Sequence, residues 1–205
     1  MNKLMHLFNY FTGRTTFEIE HIKHLNQVMM FISDTPSIFY SELDRLIKLI
    51  KPTYIVHAGD LVDDIKLQLH PGAIRHYERQ VLSLIKILEN AHADGVLLAL
   101  GNHDSASYIH SKTEDFTVID EKSQFQINGI RVSVSHYAHQ ILEDDSDLYL
   151  FGHDLKVKTR FGEDRVYLNG LSAIYLIDME NLEIISIDYP YGIDDARSKK
   201  SRIGF

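Results

Sequence analysis

Five apolar runs of strand length in this chain each end on residues able to hold a metal ion. Val28–Ile32 leads into Ser33-Asp34-Thr35, Tyr54–Ala58 into Gly59-Asp60-Leu61-Val62-Asp63, and Val96–Leu100 into Gly101-Asn102-His103-Asp104. Further on, Ile130–Ser135 is followed by His136, and Leu148–Phe151 by Gly152-His153. Three times a glycine directly precedes the carboxylate, amide or imidazole, where it permits a sharp turn and close backbone approach. Buried without partners, each neutral group would cost about 2–7 kcal/mol. A metal ion or an anionic ligand would satisfy them.

Ligands of open α/β sheets bind beyond the carboxyl ends of the strands. Asp34, Asp60, Asn102, His136 and His153, delivered to one such edge, would make an oxygen-and-nitrogen donor set. That mixture suits manganese, iron, zinc or nickel better than calcium. Singly, each block has a plainer reading: Asn and Asp are common in turns, and a histidine at a strand end is more often a satisfied polar residue than a ligand. The recurrence at five strand ends favours a metal centre. His57, inside its strand, is assigned to packing.

The elements that must position these residues follow from the apolar patterning. Ser41–Ile50 reads as a helix with Ser41 as N-cap and Leu43, Leu46, Ile47 and Ile50 on one face. A longer helix is expected over Gly72–Ala91, with Val81, Leu84, Ile85 and Leu88 inward. Strand, helix, strand, helix, strand is the pattern of a parallel sheet with covering helices. The second half reads as shorter strands: 116–119, 123–127, 130–135, 148–151, 165–168, 172–178 and 183–188. Asn128-Gly129 is a hairpin turn. The acidic run Glu143–Asp147 reads as a solvated loop or the start of a helix. Lys3–Phe11 is expected to be a short amphipathic helix, and Glu18–Gln27 another turn or two. Residues 1–27 are thus an extension packed on the core, 28–193 one domain, and 194–205 a frayed tail.

Composition bounds the function. A chain of 205 residues suits one large domain. The absence of cysteine excludes disulfides and thiolate metal sites. A formal net charge of −8 argues against broad nucleic-acid binding, which needs a basic footprint. No stretch approaches the roughly 20 apolar residues of a membrane span. The N-terminal apolar run is broken by His6 and Asn9 with no small-residue cleavage site after it, which speaks against a signal peptide. A cytoplasmic protein is expected.

In their order and wording, the five blocks resemble those of the calcineurin-like metallophosphoesterases, over about residues 28 to 190. The resemblance implies two mixed β-sheets packed as a sandwich with flanking helices, a four-layer αββα arrangement. It implies hydrolysis of phosphomonoesters or phosphodiesters with metal ions, manganese first among the candidates. It also implies His103 as general acid or phosphate-contacting group, oriented by Asp104. Two positions depart from the family pattern. Pro36 stands where the first block carries histidine, and Leu155 where the last block does. Both belong to one metal position. The resemblance therefore implies an intact site of Asp60, Asn102, His136 and His153 beside a depleted one holding Asp34 and the shared Asp60. Asp154, next to the lost ligand, could serve only if the backbone bends.

Phosphoester hydrolysis requires neutralised phosphate charge, an activated water and a stabilised leaving oxygen. The expected function is metal-dependent hydrolysis of a small phosphoester or nucleotide-like substrate. The rival is a weakened relative that binds a metal or phosphorylated ligand for regulation. A nuclease ranks third, given the acidic balance. Specificity is expected in the loops Asp64–Gly72 and Ser105–Asp115. The sequence is silent on oligomeric state.

Overall fold

The computed structural model describes residues 14–16 and 18–198. The expected helix Lys3–Phe11 lies outside them. Two mixed sheets form the molecule. The first has six strands in the order β11-β10-β1-β2-β3-β4, and the second five in the order β5-β6-β7-β9-β8. In the first, β1 (Val28–Ile32), β2 (Tyr54–Ala58), β3 (Gly95–Ala99) and β4 (Thr117–Ile119) run parallel. The antiparallel pair β10 (Ile174–Asp178) and β11 (Ile184–Ile187) completes that edge. In the second sheet, β6 (Ile130–Ser135), β7 (Leu148–Phe151) and β9 (Val166–Asn169) are parallel. They are flanked by β5 (Lys122–Ile127) and the two-residue β8 (Arg160–Phe161), both antiparallel.

Period-two alternation sorts the strands' side chains into separate cores. Met30, Ile32, Ile55 and Leu98 face helices α1 (Tyr40–Ile50) and α2 (Ile74–Glu89), meeting Leu43, Leu46, Val81, Leu84 and Leu88. Met29, Phe31, Val56 and Ala99 face the other way and meet Val132, Val134, Leu148, Leu150 and Leu168 of the second sheet. Every residue of β1 is therefore buried, which explains its unbroken apolar run. The outer face of the second sheet is covered more thinly. Tyr149, Phe151 and Tyr167 pack there under Ala138, Ile141 and Val157.

Several sequence expectations shift. Helix α1 starts at Tyr40 rather than Ser41, because a 3-10 turn over Ser37–Phe39 feeds it. Its N-cap is Phe39, with no side-chain cap bond. A 3-10 turn over Pro71–Ala73 likewise precedes α2. Glu18–Gln27 contributes one 3-10 turn, Ile19–Ile22. The acidic run is paired rather than merely solvated: Asp145 and Asp147 meet Arg131, and Asp144 meets Lys122. The expected hairpin forms at Asn128 and Gly129, both at positive φ, 50° and 89°, which join β5 to β6. Residues 194–198, expected to fray, instead continue the short helix α4 (Ile193–Ser198), which follows α3 (Ala106–His110) in chain order. No helix among the described residues is long and apolar enough to cross a membrane.

Candidate active site

The carboxyl ends of β1, β2 and β3 in one sheet face those of β6 and β7 in the other, and the polar blocks fill the seam. Backbone bonds join their loops. Asp34 N donates to Gly59 O (2.9 Å), Thr35 N to Asp60 O (3.0 Å), and Asp63 N to Thr35 O (3.1 Å). Gly152 N reaches His136 O at 3.1 Å, linking the two late blocks. The turns are tight. Asp34, Asp60 and His153 adopt φ values of 50°, 53° and 56°, the left-handed region that is uncommon for non-glycine residues. Such conformations cluster at functional sites, where surrounding contacts hold them. Gly59 sits at φ 89°, and a Cβ there would lie 2.5 Å from Nδ1 of His136.

One donor group converges from both sheets. Ligand atoms of Asp60, His136 and His153 all lie within 4.8 Å of one another. His136 is wholly buried, and its Nδ1 donates to Ala58 O at 2.7 Å. That bond leaves the Nε2 lone pair facing Asp60 Oδ2, 3.6 Å away, and Asn102 Oδ1, 3.3 Å away. A backbone carbonyl that fixes the tautomer of an imidazole is the usual support of a metal-ligating histidine. Asn102 is oriented in the same sense. Its amide nitrogen donates to Gln68 Oε1 at 2.7 Å, which turns its oxygen toward the seam, where Tyr137 Oη also donates to it at 3.2 Å. Asp60 Oδ1 is occupied by the His103 N–H (3.0 Å), leaving Oδ2 to the cluster. Carboxylate, amide oxygen and two imidazoles fit a divalent transition metal.

Asp34 lies beside this group. Its Oδ2 accepts the His153 N–H at 3.1 Å and the Ser33 hydroxyl. A second cluster consists of Asp60, Asp63 and His103, again with ligand atoms within 4.8 Å. Burial, with Asp34, Asp104 and Asp63 nearby, pushes the Asp60 pKa well above the usual carboxylate range. Burial and Asp34 raise Asp63 as well, opposed by Lys66. Carboxylates crowded in this way favour a bound cation. Burial, then Lys66, His136 and His153, hold His103 down at about 4, so its ring is neutral near pH 7. Its Nδ1 is buried with no hydrogen-bond partner among the described residues, and its Nε2 lies 3.2 Å from Asn102 Nδ2.

The expectation that Asp104 orients His103 is corrected by the geometry. Asp104 Oδ2 accepts the Gly101 and Asp60 N–H groups, both at 2.8 Å, and Oδ1 accepts Leu61 N–H and Tyr77 O–H, both at 2.9 Å. With four donors in place, it ties the β2 and β3 loops together and makes no bond to His103. The carboxylates near the His103 ring are the shared Asp60 and, in addition, Asp63. The interval Asp60-x-x-Asp63 is the only sequence signal for it. Asp154 is not in either cluster; its Oδ1 accepts the Lys156 N–H at 2.7 Å, although the backbone does turn at His153. His57, set aside from the sequence, is indeed directed elsewhere: its Nε2 meets Thr35 Oγ1 at 2.7 Å. Pro36 is buried at the start of the 3-10 turn, while Leu155 is 70 % exposed. Neither offers a donor atom.

A cleft of about 360 Å³ opens over the seam, lined by Asp34, Asp60, Asp63, Lys66, His103 and His153 on one side. Leu155, Leu171 and Arg197 form part of its other wall.

Among solved structures, a novel archaeal phosphodiesterase aligns at TM-score 0.54 and 16% identity, over 77% of this chain and 97% of its own. The phosphoesterase Yfce of E. coli aligns at 0.49 and 16%, over 79% and 98%. Wild-type Vps29 of Entamoeba histolytica, complexed with zinc, aligns at 0.49 and 16%, over 77% and 88%. At such identity the likeness to the archaeal protein is one of fold. No curated protein matches the chain in sequence. The family model of the calcineurin-like phosphoesterases matches residues 28–183, a span that takes in all five blocks and every strand but β11. By that match, the chain belongs to the calcineurin-like phosphoesterases.

Proposed function

We propose that this protein is a metal-dependent hydrolase of a small phosphomonoester or phosphodiester. The observation that carries the reading is the convergence of Asp60, Asn102, His136 and His153, with His136 Nε2 freed by the Ala58 carbonyl. These four residues hold the metal, manganese being the first candidate and iron, zinc or nickel the next. A dication there would supply positive charge to phosphoryl oxygens and make water nucleophilic near neutral pH. The chain's own residues do the rest. Asn102, fixed by Gln68, presents its oxygen. His103 faces the cleft as a neutral ring within reach of the phosphoryl group, with Asp63 close by. A cleft of about 360 Å³ suits a small ligand, at the low end of the usual range for such pockets.

The test is turnover of bis(p-nitrophenyl) phosphate by metal-stripped protein before and after manganese is restored. Activity should require the metal, and His136→Ala should abolish both turnover and most of the bound manganese. Wild-type turnover no greater than that of Asp60→Ala would refute hydrolysis and leave a metal- or phospho-ligand-binding role.

A further inference from the structure

Beside the first donor group, the seam holds two further carboxylates, Asp34 and Asp63, the shared Asp60, and one more imidazole, His103. A second dication would have to be held there. A cation already stands at that place. Lys66 Nζ donates to Asp63 Oδ1, and the two side chains are 17 % and 3 % exposed. The ammonium is close enough to act electrostatically on both His103 and His153, one residue from each cluster. Its placement is enforced by the backbone. Lys66 has a φ of 45°, and its carbonyl accepts the N–H groups of Leu69 and His70 at 2.9 and 3.0 Å. That left-handed residue holds the side chain over the cleft three positions after Asp63. The other cation of the wall, Arg197, is committed to backbone carbonyls of Ser33, Asp34 and Leu171. Among the described residues, Lys66 is thus the cleft cation whose remaining donors can meet a ligand.

We propose that Lys66 takes the place of a second metal ion, so that the site works with one dication and one fixed ammonium. The ammonium balances Asp63 and receives a phosphoryl oxygen. A point charge with three rotatable donors is suited to that task. This inference rests on the phosphoester reading of the site, and its test separates the two.

Metal-stripped full-length wild type, Lys66→Met, Lys66→Arg and the surface control Lys86→Ala are titrated with manganese by calorimetry. The proteins, each loaded with one equivalent of manganese so that only the tight site is filled, are then titrated with inorganic phosphate. Wild type, Lys66→Arg and Lys86→Ala should bind one manganese per chain. Lys66→Met should gain a second, weaker ion on the vacated carboxylates. Phosphate affinity should fall roughly 10-fold or more in Lys66→Met, the usual scale for losing a charge-assisted bond, and stay within about 3-fold of wild type in Lys66→Arg. Two manganese ions per chain in wild type, or unchanged phosphate affinity in Lys66→Met, would overturn the proposal. Should Lys66→Met fail to fold, wild-type stoichiometry still decides. Bis(p-nitrophenyl) phosphate turnover on the same samples distinguishes the readings. The expected binding pattern without turnover sinks hydrolysis and keeps the role of Lys66. Turnover with two ions does the reverse.

Discussion

Replacing Asp104 by asparagine separates a carboxylate that holds loops together from one that acts on His103. Each Asp104 oxygen accepts two hydrogen bonds, from Gly101 and Asp60 on one side and from Leu61 and Tyr77 on the other. An amide can replace only one oxygen. Turned toward Gly101 and Asp60, its NH₂ group faces two N–H donors; turned the other way, it faces the Leu61 N–H and the Tyr77 hydroxyl, which can rotate to accept. One or two hydrogen bonds to a charged acceptor are lost, at about 1.5–3 kcal/mol each, for a range of about 1.5–6 kcal/mol. The second orientation loses less and the residue is half-buried, so the low end, about 2 kcal/mol, is expected. In a domain of this size that lowers the melting temperature by roughly 4 °C or more. Because Asp60 and Gly101 stand at the metal donors, manganese affinity should fall with it. Urea unfolding followed by circular dichroism, with a manganese titration under native conditions, measures both. A loss below about 1 kcal/mol with greatly reduced turnover would refute the reasoning and return Asp104 to the service of His103.

Other substitutions test the site and its supports. His103→Ala should lower phosphodiester turnover by about 10²–10⁴ if its ring assists proton transfer, while manganese content, read by elemental analysis, stays unchanged. Gly152→Ala would place a methyl group onto Ser33 Oγ and Asp34 Oδ2; thermal melts should show destabilisation, whereas alanine at the open Gly72 should not. Burial, followed by the charges of His136 and Arg197, depresses His57 from 6.5 to about 3. Stability from its neutral ring is therefore full above about pH 6.5 and is lost as pH falls toward 3, at up to about 1.4 kcal/mol per pH unit. In urea titrations between pH 7 and pH 4, His57→Gln should lose less stability than wild type. Parallel slopes would contradict that account. Pro36→His with Leu155→His should bring a second manganese, counted by calorimetry, only if both residues reach one ion; Pro36→Ala with Leu155→Ala is the control for loop stiffness.

The strands and the polar residues that end them were legible because both rest on local signals. Apolar runs of four to six residues each ended on a polar group, three of them through glycine, and the runs became β1, β2, β3, β6 and β7 within a residue. What was not legible depends on contacts between loops distant in sequence. Asp104 looked like a neighbour of His103, but a turn directs its oxygens to Leu61 and Tyr77, 43 and 27 positions away. Lys66 was one basic residue in a polar loop until the left-handed turn placed it over Asp63. Gln68 gained its role only through Asn102. The strand Arg160–Phe161 is two residues long and exposed, so it carries no periodicity to detect. Residues 194–198 gave too short an apolar pattern to mark a helix, and Arg197 owes its burial to Tyr189, whose ring lies 4.0 Å below the guanidinium.

Arg197 also sets a time order on the formation of the site. Its Nε donates to Asp34 O at 2.7 Å and Nη2 to Ser33 O at 3.1 Å, across 163 and 164 positions of chain. Asp34 leaves β1, the first strand among the described residues, yet the clasp on its carbonyl arrives with the last described helix. Closing so long a loop is slow and carries an entropic cost before it yields contacts. While the chain is growing, the first carboxylate of the seam waits without that clasp, and a metal ion captured early would meet a loop free to rearrange. The strands are laid down in sequence order, but the pocket matures from its far end.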